Sequence, residues 1–211
     1  MMNSNTEFYT VESICGAMSL RKPQRRSLEI LEDILSGITP SKTIDKLEAT
    51  RKIHAKYPIY TDFERDFMSL TFALATGVGK TRLMGAFIAY LYSQKGIRNF
   101  FIIAPGTTIY NKLRSDFGDV SNPKYVFKGL NCFEEAPMII TDENYKNRLN
   151  SGQDINIFIF NIGKFDKENA QLKKLNEVLG DSFYKMVSSL DDLVVIMDES
   201  HHYRADRGMQ A

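Results

Sequence analysis

The 211-residue chain reads as an α/β domain, a parallel sheet covered by helices on both faces. Three observations predict it. Short apolar runs of strand length alternate with longer stretches of helical length and composition, which implies βαβ units. The run Met68–Leu74 leads through the glycine-bearing turn of residues 75–79 into a helix-like stretch. The apolar run Leu193–Met197 ends in Asp198-Glu199-Ser200-His201. With 43% hydrophobic residues the chain holds enough apolar material for one ordinary core.

Taken in order, residues 1–20 are weakly periodic. Pro23 to Ser36 predicts a first helix: Leu28, Ile30, Leu31, Ile34 and Leu35 give it an apolar face, Pro23 suits its first turn and Gly37 its end. Residues 41–64 are rich in Lys, Asp, Glu and Thr and read as a surface insertion, with a polar helix from Thr43 to Lys56. Residues 1–64 thus form an N-terminal segment, and residues 65–211 the sheet domain. Met68–Leu74 reads as a buried strand and Arg82–Tyr92 as a helix. Asn99–Ala104 is a strand stopped by Pro105-Gly106, and Thr107–Phe117 a helix. Tyr125–Phe127 and Met138–Ile140 are candidate strands, Ile155–Phe160 is a further strand, Asp166–Leu190 is a long helical stretch, and Leu193–Met197 is the last strand.

The 27 basic residues balance 26 acidic ones, so no field of one sign dominates. Lys112, Arg114, Lys124, Lys128, Lys164, Lys167, Lys173 and Lys174 form no compact run; most read as a solvated face, with phosphate contact open to some. Cys15 and Cys132 lack metal-ligand spacing and are too few for a disulfide framework, which fits a reducing compartment. The start of the chain lacks the basic and apolar regions of a secretory signal, and no stretch reaches the ~18 apolar residues of a membrane span. A cytoplasmic location is the expectation.

The turn at Ala75-Thr76-Gly77-Val78-Gly79-Lys80-Thr81 has the chemistry of a phosphate cradle. Such a loop needs backbone N–H groups aimed inward at a helix start, and glycine permits both the backbone angles and the close approach. Lys80 then reaches the β- and γ-phosphates, and the Thr81 hydroxyl ligates Mg²⁺. The general pattern opens with a glycine where this chain has Leu74. Asp198, just past a strand, is suited to hold Mg²⁺, and Glu199 to orient or deprotonate an attacking water. In an open parallel sheet ligands bind beyond the carboxyl ends of the strands, so both motifs belong on one edge. Gln24, upstream of the loop, has an amide that can donate to and accept from adenine at once; on the residue alone it reads as readily as a solvent-exposed helix glutamine.

These segments resemble the first motor domain of superfamily 2 helicases of DEAD/DEAH-box type. More narrowly they resemble the ATPase (Res) subunit of type III restriction enzymes. The resemblance rests on Arg21–Gln24, Phe72–Met84, Ile102–Pro105 and Met197–Arg204, and covers the chain from about residue 20 onward. It implies a RecA-like P-loop fold that binds ATP and Mg²⁺. Lys80, Asp198 and Glu199 are then catalytic. Gln24, Thr76, Gly77, Val78, Gly79, Lys80, Thr81 and Arg82 bind nucleotide, and Thr81 and Asp198 bind the metal. His201 links the site to the rest of the motor. Pro105, Gly106 and Thr107 touch the nucleic-acid backbone, and the Asn161–Lys164 turn is a second such contact. The partners implied are double-stranded DNA and a methyltransferase subunit that reads the recognition site.

The chain departs from the pattern in having no aromatic residue from Leu20 to Pro23, where one stacks on adenine, and in Ser200 replacing alanine. A second motor lobe, which supplies arginine fingers, and a nuclease centre are not recognisable in these residues. The expectation is a fragment of a longer protein that binds Mg-nucleotide weakly and turns over little alone. The competing readings are a lobe of another superfamily 2 helicase, acting on RNA or in repair, and a nucleotide-dependent interaction module without turnover.

Overall fold

The computed structural model describes residues 9–63, 67–133, 135–141, 143–144, 155–161, 187 and 189–198. Their elements are α1 (Val11–Ala17), α2 (Lys22–Ser36), α3 (Lys46–Lys56), α4 (Lys80–Lys95), β1 (Asn99–Ala104), α5 (Thr107–Gly118), β2 (Met138–Ile140), β3 (Asn156–Asn161) and β4 (Leu193–Met197). The strands form one parallel sheet in the order β2-β3-β1-β4.

Local signals set the ends of the helices. The Thr10 hydroxyl accepts from Ser13 N–H at 3.2 Å and caps α1, and the Asp45 carboxylate caps α3 through Glu48 N–H at 3.0 Å; each satisfies an orphan donor of a first turn. Helix α4 runs between two glycines in the left-handed region, Gly79 (φ 90°) and Gly96 (φ 67°). The second is a glycine C-cap whose N–H bonds back to the Tyr92 carbonyl at 3.1 Å.

Successive strand residues point to opposite faces, and the two faces meet different neighbours. Phe100, Ile102, Ile157 and Ile159 join Ile88, Ala89, Leu113, Phe117, Leu28 and Ile14 in the main core, so α1, α2, α4 and α5 cover that face. Met138, Ile140, Phe158 and Phe160 form a second cluster on the other face, closed by Phe101, Val187 and Leu190. Phe101 stacks on Phe160 with ring centroids 5.1 Å apart. Register is pinned at the amino ends of the strands: Asn156 Nδ2 donates to Asn99 Oδ1 (3.0 Å), and Asn99 Nδ2 to Asp192 Oδ1 (2.7 Å). Arg98 N–H donates to the other Asp192 oxygen at 2.8 Å.

Two strand expectations need correction. Met68–Leu74 is not a strand: among the described residues it has no ladder partner, and Thr71 and Ala73 are exposed. A strand needs a neighbour, and among the described residues the sheet ends at β4. The side chains of Met68, Leu70, Phe72 and Leu74 still pack against the core, Phe72 on Phe87 at 4.9 Å. Tyr125–Phe127 is a buried turn rather than a strand, fixed by Val126 N–H on the Asp116 carbonyl at 2.8 Å. β4 is half open: Val195 and Met197 are 45% and 43% exposed. The weakly periodic N-terminus contains α1. The main core runs continuously across residue 64, from Val11 to Ile159. The helical stretch Asp166–Leu190 lies outside the described residues apart from its last few positions.

Candidate functional site

The site sits where α4 begins. Gly77 has φ 81° and Gly79 φ 90°, a region that costs an L side chain strain and glycine nothing. Their alternation with Val78 turns the backbone sharply into the N-terminus of a 16-residue helix. The positive end of the helix dipole makes the spot attractive to an anion. Lys80 and Thr81 are the first two residues of α4.

Helix α2 supports the loop from beneath. Gln24 is 2% exposed. Its Oε1 accepts from Arg21 N–H at 2.7 Å, the return half of a capping box, and its Nε2 donates to the Gly79 carbonyl at 2.9 Å. That carbonyl also accepts from Arg82 N–H (3.0 Å) and Leu83 N–H (3.2 Å). Arg21 Nη1 donates to the Gly77 carbonyl at 3.5 Å. The Gln24 amide therefore faces the loop. The Arg82 side chain turns the other way: its Nε donates to the Met18 carbonyl at 2.6 Å, tying α4 to the end of α1.

Helix α5 leaves β1 after only Pro105 and Gly106, so its first turns stay at the carboxyl edge of the sheet. From there Lys112 Nζ donates to Thr81 Oγ1 at 3.0 Å. This contact ties the start of α4 to the same edge. Lys112 also pairs with Asp116 at 3.0 Å; that carboxylate is only 7% exposed and accepts from Asn122 Nδ2 at 3.3 Å. Lys112 thus keeps half its side chain in solvent and also bridges two helices. Sequence spacing gave no sign of it beyond the Lys-x-x-x-Asp pair on one helix face.

Thr107 Oγ1 accepts from Asn161 Nδ2 at 3.1 Å, which fixes the Pro105–Thr107 turn to the end of β3. Asp198 follows β4 directly, and its N–H reaches the Ile103 carbonyl at 3.4 Å. The phosphate-type loop, the 105–107 turn and Asp198 therefore share the carboxyl edge. Glu199, Ser200, His201 and Ile162–Lys164 lie outside the described residues.

The donor set suits a magnesium-phosphate group: a threonine hydroxyl and an aspartate carboxylate are hard oxygen ligands. Among the described residues no cluster of three or more His, Cys, Asp or Glu side chains forms a metal cage. Such a site keeps few protein ligands and leaves the rest to phosphate and water. Nucleophilic thiol chemistry is absent from this edge. Burial pushes the Cys15 thiol above its usual value and the Cys132 thiol up to about 12, which keeps both protonated. An open cleft of about 500 Å³ between α5 and β2 touches none of the loop residues, and its Arg114 is paired with Glu143 at 2.9 Å. Among the described residues no helix is long and apolar enough to cross a membrane.

A family model described as "Type III restriction enzyme, res subunit" matches residues 17–211. A probable type III restriction-modification enzyme HindVIP Res subunit of Haemophilus influenzae is 34% identical over 73 residues; that segment is 35% of this chain and 14% of the relative. No solved structure gives a significant match.

Proposed function

From the chain's membership of the type III restriction enzyme Res-subunit family, whose RecA-like α/β fold it shares, we propose that it is the first motor lobe of an ATP-dependent DNA translocase. The observation that carries this reading is the pair of left-handed glycines, Gly77 and Gly79, flanking Val78 at the start of α4, on the same sheet edge as Asp198. In this reading the N–H groups of residues 76–81 cradle the phosphates, and Lys80 contacts the terminal ones as a point charge. Thr81 and Asp198 hold Mg²⁺, which when bound neutralises phosphate charge. Glu199 orients the attacking water. Gln24 holds the Gly79 carbonyl and keeps the loop in register with α2. Adenine recognition needs the amide to turn away from the loop or to use its remaining donor and lone pair.

The Pro105–Thr107 turn offers backbone N–H and hydroxyl groups at the same edge, suited to sequence-independent contact with a DNA backbone. A methyltransferase subunit that supplies site recognition is part of the proposal. The matched segment spans 14% of the Haemophilus protein, so DNA cleavage and translocation are properties proposed for an assembled protein.

The test is titration calorimetry with ADP and Mg²⁺ on the wild-type chain and Lys80→Ala. Losing one charge-assisted contact of ~1.5–3 kcal/mol should weaken binding roughly 10- to 150-fold. Equal affinity in both proteins would rule the loop out as the nucleotide site. Robust DNA-stimulated hydrolysis by this chain alone would overturn the view that a second lobe is required.

A further inference from the structure

Lys112 occupies a place that the reading above gives to a metal. A lysine with half its side chain exposed is ordinarily left in water. This one spans from α5 to α4 and delivers its ammonium group to Thr81 Oγ1 at 3.0 Å, the hydroxyl assigned to Mg²⁺. It is steadied on the way by the Asp116 carboxylate at 3.0 Å, which Asn122 holds in turn.

A threonine hydroxyl has two lone pairs. A magnesium ion on one of them would stand about 2.1 Å from the oxygen and hence about 4–5 Å from an ammonium group on the other. At that separation a divalent and a monovalent cation repel strongly, most of all with water excluded. Both cannot keep the same oxygen at little cost. We infer that Lys112 is a resident cation that adds its charge to the loop and faces bound phosphate while metal is absent, and that its bond to Thr81 and the Mg²⁺–Thr81 bond exclude one another. Asp116 makes the exchange easy: on leaving Thr81 the ammonium keeps its ion pair, so it is released without being orphaned.

This inference rests on the nucleotide reading. It gives Lys112 two opposed effects: the lysine strengthens metal-free nucleotide binding by adding positive charge, and it weakens the further gain that Mg²⁺ brings. Lys112→Met keeps the apolar stem and removes the charge. ADP affinity should be measured by calorimetry in EDTA and across a Mg²⁺ series, for wild type, Lys112→Met, Lys112→Arg and Lys80→Ala. In Lys112→Met the affinity in EDTA should fall about three- to tenfold and the ratio of affinities with and without Mg²⁺ should rise by at least as much. Lys112→Arg, still cationic, should stay near wild type. A Mg²⁺ ratio unchanged in Lys112→Met would overturn the inference while leaving the loop assignment intact. Wild type binding no better than Lys80→Ala would overturn both. Lys112→Gln gives the same readout should the methionine variant fail to fold.

Discussion

Gln24 shows how much one side chain can decide. It is buried, and its amide joins Arg21 N–H to the Gly79 carbonyl across 55 residues of chain. Gln24→Ala removes two neutral hydrogen bonds of ~1 kcal/mol each, while the Gly79 carbonyl keeps Arg82 and Leu83 N–H, so ~1–2 kcal/mol of stability should be lost in denaturant unfolding. Nucleotide affinity should fall too, because the loop loses its lower support. A Gln24→Ala protein with unchanged stability would show that these bonds are not formed in solution. Cys132 gives a pH signature. Below the ordinary thiol value both states are protonated and burial costs nothing. As pH rises through that value towards about 12, the unfolded chain ionises and the folded chain does not, so stability drains away. Unfolding midpoints from pH 7.5 to 10.5 should decline more steeply in wild type than in Cys132→Ala. The phosphate-type loop was legible in the sequence because Gly-x-Gly-Lys-Thr is a local pattern whose angles glycine alone makes cheap. Lys112 on Thr81, and the loop-facing turn of Gln24, were not. They depend on which helices the fold brings together.

Among the elements, α4 owes its position to the absence of a side chain. A Cβ at Gly85 would fall well inside contact distance of Val126 Cγ1. Two effects oppose each other in Gly85→Ala: helix propensity favours alanine by ~1 kcal/mol, and overpacking costs ~1–3 kcal/mol. The turn at Tyr125–Phe127 is buried and pinned by Asp116, so it cannot retreat, and packing should win. Gly85→Ala should lower stability, whereas Gly85→Ala combined with Val126→Ala should be less destabilised than the two single changes summed. Additivity in that double-mutant cycle would count against the contact. The same region explains two misreadings. Three consecutive apolar residues at 125–127 look like a strand, yet they are buried by α4 and α5 without ladder partners. Met68–Leu74 has strand composition, but composition does not supply a neighbour. By contrast β1 and β3 were readable as apolar runs because a central parallel strand is covered on both faces, and β4, at the edge of the described sheet, was readable from its apolar composition alone. Helix α1, with seven residues, is too short for periodicity to show; its cap at Thr10 was the available signal.

At the scale of the molecule, the N-terminal helices and the sheet share one core, so α1 and α2 belong to the support of the loop as much as α4 does. The sheet also joins strands far apart in the chain: Asn99 lies beside Asn156 and beside Leu193. The central strand therefore cannot be completed until the chain has been made almost to its described end. Closing such long loops costs entropy before any contact repays it, and folding rates fall with that separation. On a ribosome β1 and β3 can pair first, and β4 must wait for synthesis to pass residue 197. In that interval β1 presents a bare apolar edge, the kind of surface to which chaperones and neighbouring nascent chains bind.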